Sequence, residues 1–63
     1  MMLAYKDERG EEAAVMIDKI ICFKRGVSED VSIIHLTTGN ILVSKDSVEC
    51  LMNRVNEIRE GEK

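Results

Sequence analysis

Apolar positions along the chain gather into short runs separated by charged or glycine-bearing words, and only the last run has a helical period. MLAYK, Met2 to Lys6, is a mixed apolar run closed by DERGEE, a charged cluster around Gly10 that reads as a turn. AAVMIDKIICFKR, Ala13 to Arg25, follows. Val15, Ile17, Ile21 and Phe23 share one parity and Met16, Ile20 and Cys22 the other, while Val15, Met16, Lys19, Ile20 and Phe23 also fall at helical spacing. Both readings stand on periodicity alone. The β-branched and aromatic content and the flanking turns favour a long strand with a bend or bulge near Asp18–Lys19 over a helix.

GVSED, Gly26 to Asp30, is a further turn, and VSIIHL and ILVS then flank TTGN in the manner of a β-hairpin. Gly39 supplies the positive φ of a tight turn, which Asn40 also tolerates. Pairing Leu36 with Ile41 and Ile34 with Val43 would match four aliphatic side chains on one face, so burial is expected to select that register. The other face then carries Val31, Ile33, His35 and Leu42, which is too apolar for a fully solvated surface. Either the N-terminal strands curl over it or another chain covers it; the small size of the chain favours another chain.

The segment from Asp46 to about Glu60 is amphipathic, with Val48, Leu51, Met52, Val55 and Ile58 at the spacing of a helical stripe. Asp46 is the expected N-cap, with Glu49 three residues on, and Gly61 the expected stop. Arg54 and Glu57 are expected on the wet side. The pattern as a whole predicts one α+β domain over residues 1–63: a small antiparallel β-sheet of three to four strands, built from hairpins, followed by one C-terminal amphipathic helix.

Composition sharpens this picture. A chain of 63 residues buries only about 60% of its unfolded surface, so stability is marginal without help. With no proline or tryptophan and a single Tyr and Phe, the core must be aliphatic and methionine-based. Cys22 and Cys50 lack the spacing of a zinc site, and the lone His35 cannot complete one with them. Self-association is the remaining source of stability, and a homo-oligomer, dimer or larger, is expected. No apolar run approaches the roughly 20 residues of a bilayer span, and the N-terminus lacks signal-peptide order. A cytoplasmic protein with reduced thiols is the expectation.

Candidate chemistry is sparse. No nucleophile signature surrounds Cys22 or Cys50, Cys22 reads as a small core side chain, and Cys50 falls opposite the apolar stripe. The carboxylates of DERGEE and SED match no calcium loop, so no catalytic residue, metal or cofactor is expected. The net charge of −3 argues against a phosphate binder, although Lys19, Lys24 and Arg25 form a minor basic patch that an oligomer could align. These features point to a non-enzymatic regulatory or scaffolding protein that acts on an unidentified protein partner through Val31, Ile33, His35 and Leu42. A nucleic-acid-binding regulator and a phage-encoded or accessory inhibitor of a host factor are the alternatives.

LTTGNILVSKDSVECLMNRV, Leu36 to Val55, resembles the C-terminal half of the FlbD (SwrD-like) family of small flagellar proteins. The resemblance rests on the Thr37, Thr38, Gly39 turn and the Lys45, Asp46, Ser47, Val48 junction ahead of a helix. Upstream, Gly10, Ile17 and Ile20 fall at places similar to that family's glycine turn and isoleucine-acid-x-isoleucine segment, so it extends over nearly all the chain. It implies a cytoplasmic accessory of bacterial motility that works by protein contact and brings no catalytic residues with it.

Overall fold

A computed structural model of the protein describes residues 1–61. In chain order it has β1 (Met2–Lys6), β2 (Glu12–Met16), a 3-10 turn (Ile17–Lys19), β3 (Ile20–Arg25), β4 (Ser32–Leu36), β5 (Ile41–Ser44) and a single C-terminal helix, α1 (Val48–Glu60). The expected antiparallel sheet with one C-terminal helix is present, with five strands where three to four were expected. The difference lies in Ala13–Arg25, whose bend at Ile17–Lys19 is a full break that buries Ile17 and sends the two halves to different partners. β2 pairs with β1, and β4 pairs with β3 on one side and β5 on the other, giving a two-stranded and a three-stranded antiparallel sheet. An isolated bridge between Asp7 and Ser44, and the Lys45 N–H donating to the Lys6 carbonyl at 2.9 Å, tie β1 to the end of β5.

Both hairpin tips use one turn. At the first, the Gly10 N–H donates to the Asp7 carbonyl and the Asp7 N–H to the Glu11 carbonyl, each at 2.9 Å. At the second, the Gly39 N–H donates to the Leu36 carbonyl and the Leu36 N–H to the Asn40 carbonyl, each at 3.0 Å. Gly10 and Gly39 have φ of +80° and +91°. This is the three-residue loop in which a tight turn is followed by a left-handed residue, for which glycine carries no Cβ penalty.

That loop fixes a register one residue away from the expected one. Ser32 faces Ser44, Ile33 faces Val43, Ile34 faces Leu42 and His35 faces Ile41. Ile34 and Leu42 therefore point inward together, and Ile33, Val43, His35 and Ile41 point outward. Matching aliphatic pairs alone could not reveal this. The turn closes between Leu36 and Asn40, and Ser32 and Ser44, both fully buried, are drawn inward to hydrogen bonds with Asp46.

The core draws on both hairpins, the 3-10 turn and the helix: Leu3, Tyr5, Val15, Ile17, Ile34, Leu51 and Val55 are buried together. Burial, with the Asp7 charge adding to it, raises the Tyr5 phenol above its ordinary pKa. Ile20, Phe23, Leu36, Leu42 and Ile58 pack around that core half-buried. Alternation in β1 puts Leu3 and Tyr5 on the same inward face, which the helix closes with Leu51 and Val55 one turn apart. Met52, expected within the stripe, sits on the flank of this pair and is 51% exposed.

The helix begins one residue later than expected. Ser47 is the N-cap, its Oγ accepting from the Cys50 N–H at 3.2 Å. Asp46 is a good capping residue by type, but its carboxylate is occupied elsewhere. Oδ2 accepts from the Lys6 N–H at 3.0 Å and from Arg54 Nη1 at 3.0 Å, and Oδ1 accepts from Arg54 Nη2 at 3.4 Å. Arg54 Nη1 also donates to the Ala4 carbonyl at 3.1 Å, so this arginine lies over β1 and does not stand on the wet side with Glu57. Burial alone would raise the Asp46 carboxyl; the Lys6 N–H, the Arg54 guanidinium and Ser44 outweigh it and hold the group below its ordinary pKa. One acidic side chain thus clamps both sheets and the helix. At the other end, Gly61 remains in the right-handed helical region, with φ of −69°, and its N–H donates to the Glu57 carbonyl.

Candidate protein-interaction face

Of the residues expected to form an interaction face, β4 places Ile33 and His35 together on the outward side of the three-stranded sheet. Leu42 is not with them. It faces Ile34 and packs against the core, a direct result of the register set by the Gly39 turn. Val43 and Ile41 take its place, Ile41 being 56% exposed. Val31 precedes the strand and is held in the connecting loop, where its carbonyl accepts from the Gly26 N–H at 2.8 Å. The words TTG after a strand and N before the next were the available signal for the true register.

β3 extends the outward face. Cys22 is the partner of His35 and Lys24 the partner of Ile33. Cys22 is therefore half-exposed beside the imidazole, not the core side chain expected, because the register shifts between Ile20 and Cys22. Such a bulge inserts Ile21 as an extra residue on the edge and leaves it 65% exposed. Cys50 is exposed, as its place opposite the apolar stripe implied. The outward face reads Ile33, His35, Ile41, Val43 and Cys22 with Lys24 at its rim, and none of these joins the core cluster.

The basic residues are not brought to one surface. Lys24 is on the outward side, whereas Arg25 pairs with Ser32 on the inward side and shares a hollow with Glu29, Asp30 and Glu49. Lys19 belongs to the 3-10 turn. A monomer offers no continuous track for a phosphate backbone at these three positions.

A second concavity lies on the other side of β3. Its lining comes from Ile17, Ile20, Ile21 and Phe23 on the strand side and Met52, Asn56 and Arg59 on the helix side, and it encloses about 320 Å³. Sequence reasoning missed it because Met52 belongs to the apolar helix stripe by spacing and Ala13–Arg25 reads as one long strand. Among the described residues, no helix is long and apolar enough to cross a membrane. Comparison with known proteins returned no match, whether to a protein-family model, a curated protein or a solved structure.

Proposed function

We propose that this is a small non-enzymatic regulatory or scaffolding protein that acts by protein–protein contact, a cytoplasmic motility accessory of the kind the FlbD-like words of its sequence suggest. The observation that carries the reading is the outward face of β3–β4–β5. Ile33, Val43 and Ile41 form an apolar strip across neighbouring strands, while the chain's own hairpin and helix are committed to the inward side. A strip of this kind on so small a domain favours a second surface laid over it. Self-association through this face is the simplest use of it, and it offsets the limited core of a short chain.

The test has two arms. Sedimentation of the purified protein is expected to give a dimer or larger species, and a stable monomer at micromolar concentration overturns self-association. Affinity capture from a bacterial lysate, read by mass spectrometry, is expected to recover components of the motility apparatus. Recovery of only nucleic-acid-bound complexes, released by salt, overturns the protein-contact reading.

A further inference from the structure

We propose that the free edge of β3, with the groove between it and α1, is a strand-addition site for an extended peptide in which apolar residues alternate with acidic ones. This rests on the protein-contact reading above but uses a different surface. β3 is the terminal strand of its sheet, bonded to β4 on one side and to no strand on the other among the described residues. An unpaired strand edge offers a row of N–H and C=O groups to incoming extended backbone. Alongside that edge the groove supplies an apolar floor, with Ile20 and Phe23 on one side, Met52 on the other, and Ile21 and Met52 both more than half exposed.

Strand geometry dictates the partner's pattern. Successive side chains of an added strand alternate between the two faces of the sheet. Those turned inward enter the apolar groove, whose lining contains one charged residue, the cation Arg59, and no carboxylate. Those turned outward come beside Lys24, which projects on the outward face next to Ile33. Lys24 and Arg59 are both exposed, and neither has a carboxylate partner among the described residues. Apolar side chains directed inward, acidic side chains opposite Lys24, and an acidic group at the Arg59 end of the groove complete the complementarity.

The same alternation makes the proposal testable with a defined probe: a short fluorescent peptide of valine and leucine alternating with glutamate, alongside its lysine-for-glutamate counterpart. The two cysteines give an internal control, since Cys22 sits on β3, where an added strand would lie alongside it, and Cys50 is exposed on the helix away from it. The glutamate peptide is expected to bind at least tenfold tighter than the lysine peptide and to slow alkylation of Cys22 with no change at Cys50. K24E/R59E is expected to reverse the preference, and Ile41→Asp, on the far strand of the outward face, to leave peptide binding intact. Equal binding of both peptides, unaltered Cys22 alkylation, or no response to K24E/R59E overturns the strand-addition site. So does concentration-dependent protection of Cys22 in the absence of peptide that the Ile33→Asp variant retains, because a second copy of β3 would then occupy the edge. Loss of peptide binding in a protein that still sediments as a dimer separates failure here from failure of the outward-face reading.

Discussion

At the scale of single residues, Asp46 is the position with the most consequence. Its carboxylate accepts from backbone in β1 and from a guanidinium in the helix, and its own backbone bonds the buried serines of the second hairpin. Hydrogen bonds to a charged group contribute about 1.5–3 kcal/mol each when partly buried, less where solvent reaches them. We expect Asp46→Ala to lower stability by about 2–3 kcal/mol, against about 1 kcal/mol for removal of the Ser47 cap, measured by urea denaturation. The pH dependence follows from the sign of the shift. A carboxyl whose folded pKa is depressed contributes stability that is full above its unfolded value, about 4, and is lost as pH falls through the lower folded value. Wild type should therefore lose stability below about pH 4 more steeply than Asp46→Asn. Parallel denaturation curves for the two proteins across that window would show that Asp46 is not a linked group. None of this was legible from the residue itself, since Asp before Ser-Val-Glu is a good cap by local rules. Its partners are the Lys6 N–H, forty positions away in sequence, and Arg54, two turns into the helix and itself anchored on the Ala4 carbonyl.

Elements were legible to different degrees. The helix stripe, the two glycine turns and the TTGN hairpin are all written in local pattern, and each is present. The register was not, because Ile41, Leu42 and Val43 are all apolar and either parity satisfies a hydrophobic count. Turn chemistry decided the matter, and two serines took inward positions that a purely apolar argument would not give them. A pair of alanine substitutions checks the faces. Leu42→Ala should cost about 2 kcal/mol and Ile41→Ala less than about 0.5 kcal/mol, measured in dilute protein where monomer predominates. A larger cost for Ile41→Ala than for Leu42→Ala would return the register to the one expected from sequence. The same logic separates neighbours on β4. Ile34 is fully buried, and an aspartate there would place an unpaired charge in the core.

For the molecule as a whole, a total stability of roughly 0.05–0.15 kcal/mol per residue leaves little margin. Ile34→Asp should therefore abolish the folded circular dichroism signal. Ile33→Asp, one residue earlier and pointing outward, should keep the fold and shift sedimentation towards monomer. If both unfold, the outward face is part of the core; if neither changes sedimentation, that face does not mediate association. Sequence pattern foresaw that the second hairpin would be apolar on both sides. It did not foresee that the N-terminal hairpin would join the helix over the inward side, because Leu3, Tyr5, Val15 and Ile17 reach Ile34 only through the break at Ile17–Lys19. That break also exposes the edge of β3, so the groove beside α1 is a tertiary product with no local signature.

The Asp46 clamp also bears on the order of events in folding. Each hairpin closes over a few residues and can form by itself, whereas the clamp joins Asp46 to Lys6 across forty positions of chain, and Arg54 to Ala4 across fifty. Contacts of such long separation carry a loop-closure penalty and are made once the local hairpins have formed. A clamp that sets last also releases first. Its loss should appear in the unfolding limb of the kinetics, with Asp46→Ala accelerating unfolding while the refolding rate stays near that of wild type. The carboxylate then governs how long the native state lasts far more than how quickly it is reached.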